Sequence, residues 1–203
     1  DNPLLSLSSK RMQTFKIGDQ DASKVTTNVS SLSFGSCPSM MIVDARNARS
    51  LGGNIDLTKM PRLQEAHFGG TAVKSVNVAT GSKITKLGLG NEITQIALVS
   101  LKFLNNENFA YDSLNKLEFL RIENCDGLSA FEFLRDVYNQ EGSALRDVRI
   151  IGFDEHGTID DVTMVGNMAV DKDKNGNDHI YNGIDNAGVP MNNSKPVIEG
   201  NLK

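Results

Sequence analysis

Asp171, Asp173 and Asn175 stand at alternate positions and are followed by Gly176. Side-chain oxygens in alternation, with a glycine to permit a sharp turn, make the first half of a calcium loop, and Asn177 could add a carbonyl. The closing bidentate glutamate is missing: the twelfth position is Asn182, and Asp185 comes too late. No entering helix precedes the run. The competing expectation is a solvated β-hairpin, because Asn175-Gly176 is a strong two-residue turn signal. Calcium is therefore the only cofactor the sequence suggests, as the alternative to a plain turn.

Other reactive residues are scattered. His67, His156 and His179 are far apart, and none sits in a zinc-like spacing with cysteine. Cys37 and Cys125 are too distant in sequence to read as a disulfide framework. Cys125 suits a structural corner, and Cys37 precedes Pro38 in a loop-like run. Asp160 and Asp161 are neighbours, so on a strand they point in different directions and cannot share acid–base work. There is no nucleophile elbow, phosphate loop or dinucleotide fingerprint. No enzyme is expected. The 203 residues carry a net charge of -4, with no basic excess to draw nucleic acid. No apolar run approaches the roughly 18 residues of a membrane span, and the N-terminus is not signal-like.

The elements that would position any site come from a repeated apolar spacing. Leu117, Leu120 and Ile122, followed by Asn124-Cys125, have spacings of three and two. That pattern suits a bend followed by a short strand with one face buried, then a polar corner. The same hexad recurs at Met12, Phe15 and Ile17; Met40, Val43 and Ala45; Leu63, Ala66 and Phe68; Ile84, Leu87 and Leu89; and Leu145, Val148 and Ile150. Successive starts are separated by 28, 23, 21, 33 and 28 residues. The long interval implies a loop or an extra partial coil between 93 and 114.

A second hexad lies inside each unit: Val29, Leu32 and Phe34; Val73, Val76 and Val78; Ile93, Ile96 and Leu98; Leu128, Phe131 and Phe133; Ile159, Val162 and Met164. In the second unit only Ile55 and Leu57 remain. Two apolar stretches per period predict opposite walls sharing a thin core, which only stacked coils can bury. Most second stretches are short and β-branched, favouring strand. Residues 128–139 instead place Leu128, Phe131, Leu134 and Tyr138 at helical spacing, with Asp126 as cap and Gly142 beyond, which predicts a helix. The expected fold is thus a β-rich α/β solenoid with short parallel strands. Residues 1–11 form a leader or N-terminal cap, 12–165 the solenoid, and 166–203 a C-terminal hairpin or cap. Pro196 to Leu202 would add a last strand to the edge or begin a following domain.

This chain resembles the leucine-rich-repeat superfamily over about 12–165. It is similar to the divergent repeats of BspA-like bacterial surface proteins, and to repeats in structural or tail proteins of phages infecting gut Bacteroidetes. Phe68-Gly-Gly-Thr-Ala-Val73, Ile93–Leu98, Leu120–Cys125 and Val148–Gly152 carry the second likeness. The resemblance implies a non-enzymatic recognition or structural module of a larger extracellular protein, at a bacterial surface or in a virion, with roles in adhesion or assembly. The asparagine position is irregular. Asn47, Asn91 and Asn124 come one place early, and Gly70 and Gly152 take that place elsewhere, so a regular asparagine ladder is not expected.

The outward positions of the first hexads form the candidate binding face for a protein or glycan. Its middle row is Lys16, Asp44, His67, Gly88, Arg121 and Arg149. One flank is Thr14, Ile42, Glu65, Lys86, Phe119 and Asp147; the other is Gly18, Arg46, Gly69, Gly90, Glu123 and Ile151. Opposite charges meet across strands, Glu65 beside Lys86 for instance, which would make a self-compensating solvated face. The sharper expectation is a partner surface built on Arg46, His67, Phe119, Arg121, Arg149 and Ile151, since aromatics and arginines dominate interfaces. Two rivals follow from the same residues. One is a polysaccharide depolymerase, for which Glu65, Asp44, Glu123 and Asp147 are the available carboxylates. The other is a calcium-stabilised spacer.

Overall fold

The computed structural model describes residues 4–125, 127–128, 144, 147–151 and 197–200. Within them the chain winds as a β-solenoid, with stacked parallel strands on two walls. The front wall contains β2 (Thr14–Lys16), β4 (Ile42–Asp44), β6 (Glu65–His67), β8 (Lys86–Leu89) and β10 (Phe109–Tyr111), paired in that order. The back wall contains β5 (Gly52–Asp56), β7 (Ala72–Asn77), β9 (Gln95–Val99), β11 (Phe119–Glu123), β12 (Asp147–Ile151) and β13 (Val197–Gly200). β1 (Leu4–Leu7) and β3 (Ser31–Phe34) pair in parallel and continue the back wall past β5, where Gly52 N donates to Ser30 O at 3.0 Å. The leader thus supplies a strand of the stack. Residues 197–200 take the first of their two expected roles, closing on β12 in antiparallel register.

The hexad spacing has a direct local cause. Its first apolar residue is carried inward by a tight turn: Met40 N donates to Cys37 O at 3.1 Å, Leu63 N to Met60 O at 3.1 Å, and Leu117 N to Leu114 O at 2.9 Å. The other two then point inward from the strand, with an outward residue between them. Phe15, Val43, Ala66, Leu87 and Phe109 are successive partners across the front wall, and all are buried. Ile96 and Leu120, and Leu98 and Ile122, are partners across the back wall, and they too are buried. Burying each such Leu, Ile or Phe contributes roughly 1.5–3 kcal/mol, but only once a neighbouring coil covers it.

One expectation needs correction. Leu117–Ile122 does not follow Ile84–Leu89 on the front wall. β11 lies on the back wall, between β9 and β12. The 33-residue interval holds an additional front strand, β10, whose Phe109 partners Leu87 at a separation of 22 residues. The reason is that the hexad looks the same on both walls, so spacing alone does not label the wall. β10 was hidden because Asn106 occupies its first hexad position and only Phe109 and Tyr111 remain.

Corners explain two of the three irregular asparagines, Asn47 and Asn124, and not Asn91. Asn47 (φ 60°) and Gly70 (φ 69°) turn the chain off the front wall, while Ser100 (φ 57°) and Asn124 (φ 51°) turn it off the back wall. Each place needs left-handed backbone, which Gly and Asn adopt most readily. Asn47 also reaches across coils, its Nδ2 donating to Asp19 O at 2.9 Å. Cys125 lies at a corner as expected, buried, with Leu101 N donating to its Sγ at 3.4 Å. Cys37 is wholly buried as well. Among the described residues the only helices are single 3-10 turns, Ala22–Lys24 and Asn106–Asn108, and no helix is long and apolar enough to cross a membrane. The helix expected over 128–139 lies, beyond Leu128, outside the described residues, as do the Asn175-Gly176 hairpin and the calcium ligands Asp171, Asp173 and Asn175.

Candidate functional site

The change of wall divides the candidate face. Arg46 and His67 stay together on the outer side of the front wall. Phe119 and Arg121 belong to β11 on the back wall, with Arg149 and Ile151 beside them on β12 as the partners of Arg121 and Glu123. Stacked sheets stand about 10 Å apart, so one flat partner cannot meet both groups. On the back wall Phe119 is half-buried, and exposed Arg121 donates to Glu123 at 2.8 Å.

The front wall presents the denser arrangement. Parallel register places Lys16, Asp44, His67, Gly88 and Ala110 in one transverse row, and Thr14, Ile42, Glu65 and Lys86 in the row beside it. Asp44 is almost fully buried. It accepts from Arg46 Nε at 3.0 Å, from Arg46 Nη2 at 2.6 Å and from the Arg46 backbone N–H at 3.1 Å. Burial is the largest single influence on its carboxyl and opposes ionisation. The Arg46 side chain and backbone together outweigh it and hold the carboxyl below its ordinary value. The same contact, first of all, raises Arg46.

Glu65 bridges two neighbours. His67 Nε2 lies 3.1 Å from Oε2, and Lys86 Nζ lies 3.0 Å from Oε1, the cross-strand pair expected from the sequence. The His67 contact, then that of Lys86, lowers the Glu65 carboxyl. His67 faces outward as expected. At the end of the strands Asp112 accepts from Gly70 N at 2.8 Å, tying β10's exit to the corner two coils away. Among the described residues no group of three or more His, Cys, Asp or Glu could hold a metal ion.

Between these side chains lies an open groove of about 360 Å3, bordered by Arg46, His67, Lys86 and Asp112, with Gly69 and Gly88 among its lining residues. Sequence reasoning found Arg46 and His67 but missed Ala110 and Asp112. Both depend on β10, and the one available signal was Phe109-x-Tyr111 at 22 residues from Leu87-x-Leu89. No family model matches the chain, and neither the curated proteins nor the solved structures yield a significant match.

Proposed function

We propose that this chain is a non-enzymatic recognition module, a leucine-rich-repeat-like solenoid within a larger extracellular or virion protein, and that its partner meets the front wall. The observation that carries the reading is the fixing of the front-wall side chains by one another. Asp44 with Arg46, and Glu65 with His67 and Lys86, hold long side chains in one geometry before any partner arrives. Side chains already ordered lose less entropy on binding, which raises affinity for a given area.

The same contacts argue against a depolymerase. A glycosidic general acid needs a carboxyl that stays protonated near neutral pH. Asp44 and Glu65 are displaced the other way. The test is retention of purified bacterial-surface polysaccharides and glycoproteins by the immobilised chain, with reducing ends measured in parallel. Retention that Lys86→Glu weakens and Arg121→Glu leaves intact supports the reading. Release of new reducing ends, or dependence on Arg121 alone, overturns it.

A further inference from the structure

The two edges of the solenoid, where the chain passes between walls, differ in charge. From β1 to β11 the strands of each wall run parallel, so every passage from back to front falls on one edge and every return on the other. The passages from back to front are 8–13, 35–41, 57–64, 78–85 and 100–108. They carry six cations, Lys10, Arg11, Lys59, Arg62, Lys83 and Lys102, and one carboxylate, Glu107, which borders the front-wall groove. The returns, 17–30, 45–51, 68–71, 90–94 and 112–118, carry five carboxylates and four cations. All six cations of the first edge are exposed, and none makes an ion pair among the described residues. On the adjoining wall Asp56 accepts from Thr58 N and Oγ1 at 2.9 and 2.6 Å, and Lys59 acts on its charge without pairing with it. The backbone stacks these passages: Met41 N donates to Gln13 O at 2.7 Å, Gln64 N to Met41 O at 2.8 Å and Thr85 N to Gln64 O at 2.7 Å. Two residues upstream of each, Arg11, Ser39, Arg62 and Lys83 form a column. Arg62 and Lys83 are thus like charges on adjacent coils, with backbones about 4.8 Å apart, an arrangement that destabilises a sheet. Lys102 extends the line to the fifth coil, so the ridge covers about 19 Å. Beside it Phe103 is 59 % exposed, the most exposed large apolar side chain among the described residues, while Leu101 and Leu104 fill the core.

We propose that this edge docks the protein on a lipid bilayer bearing anionic headgroups. Charge sets the sign of the partner. The chain has a net charge of -4, yet it gathers six unpaired cations on one edge, and such a patch draws negative charge. Shape and Phe103 set its kind. An edge where the chain turns from one wall to the other is convex. A linear polyanion laid on it is gripped from one side only, whereas a charged plane meets the whole ridge at once. Single-stranded nucleic acid is held by several stacking aromatics, and these five passages contain only Phe103. One exposed apolar ring beside a cation suits a bilayer, where the ring enters the headgroup boundary and the cations stay at the anionic surface. Each Lys or Arg near such a surface strengthens binding about fivefold. With this edge down, both walls stand upright on the bilayer and the front-wall side chains stay open to a partner. The docking uses none of Asp44, Arg46, Glu65, His67 and Lys86, so it stands or falls apart from the recognition reading.

The experiment sediments the whole chain with vesicles of pure phosphatidylcholine and with vesicles of phosphatidylcholine and phosphatidylglycerol in equal parts, at low and high salt. The sequence has no tryptophan, so Phe103→Trp places a single fluorescent reporter on the ridge. Binding to the anionic vesicles alone is expected, fading at high salt, with the emission of the Phe103→Trp chain shifting to the blue. Arg62→Gln or Lys83→Gln should weaken it about fivefold, and both together about 25-fold. Arg49→Gln and Lys74→Gln remove unpaired cations that lie off the edge and should leave binding near the parent's. All these sites are exposed, and equal thermal melts check that the variants fold. The proposal is overturned if the anionic vesicles are not bound, if both kinds bind alike, or if the emission does not move. It is overturned equally if the Arg49 and Lys74 variants lose as much as those of the ridge. Should the chain pass over the vesicles and bind polygalacturonate or single-stranded DNA through Arg62 and Lys83, an anion-binding edge stands and the lipid assignment falls.

Discussion

Replacing Asp44 by alanine tests whether the front-wall side chains are held as described. Asp44 keeps only 4 % of its surface exposed and accepts three hydrogen bonds from Arg46. Removing one partner of a buried ion pair costs about 3–5 kcal/mol, because the other charge is left stranded. Here the Arg46 side chain retains 29 % exposure, so water recovers part of that loss, and about 2–3 kcal/mol is expected. For a chain of this length that corresponds to roughly 4–12 °C in Tm. The folded-state carboxyl is held below its ordinary value of 3.8. Its stabilisation is therefore present above that value and is lost as pH falls through the lower, folded-state value. The gap between parent and Asp44→Asn should accordingly narrow as the medium is acidified below pH 3.8. The assay is thermal melting of both single variants and of Asp44→Ala/Arg46→Ala, with coupling of about 1–3 kcal/mol expected. Coupling below about 0.3 kcal/mol, within the scatter of independent sites, would refute a pre-ordered pair.

Three further outcomes follow from the packing. Phe68→Ala empties a fully buried position and should lower stability by about 3–5 kcal/mol in denaturant titration. Gly18→Ala should destabilise strongly, since its Cβ would overlap Arg46 backbone. Gly88→Ala, whose Cβ would meet His67 at an ordinary 3.7 Å, should instead be neutral or stabilising by about 0.4–1 kcal/mol, and equal losses at the two sites would contradict this difference in their surroundings. Glu65→Gln removes an exposed pair with Lys86 and weakens a partly buried contact with His67, and should cost about 1 kcal/mol, with the Lys86 part of the loss diminishing at high salt.

The solenoid was legible because its core imposes a strict rule on side chains. The triplets beginning at Met40, Leu63, Ile84, Ile93 and Leu117 are all buried and keep spacings of three and two. The wall on which a triplet sits was not legible, because turn and strand are built alike on both walls. A single strand with a weakened triplet, β10, was enough to shift Leu117–Ile122 from the back to the front in a reading by spacing. Everything placed downstream moved with it, Arg121 and Arg149 included. The corners were half legible. Asn47, Asn124 and Gly70 were visible, but Ser100 was not, because what these bends share is left-handed backbone and not an amide ladder. The groove was scarcely legible at all. Gly88 appeared only as one member of the middle row, and the depression beside it depends on β10, which the spacing did not reveal.

The most direct measurement is a pair of cysteine cross-links that separate the two walls. In the stack, Ala97 and Arg121 are partners on adjacent back-wall strands, about 4.8 Å apart, inside the roughly 4.4–6.8 Å Cα window a disulfide needs. Gly88 faces the opposite side of the molecule. Ala97→Cys/Arg121→Cys should close a disulfide under mild oxidation, seen by mass spectrometry, and Gly88→Cys/Arg121→Cys should not. Closure of the second pair without the first would place β11 beside β8 and dissolve the front-wall site.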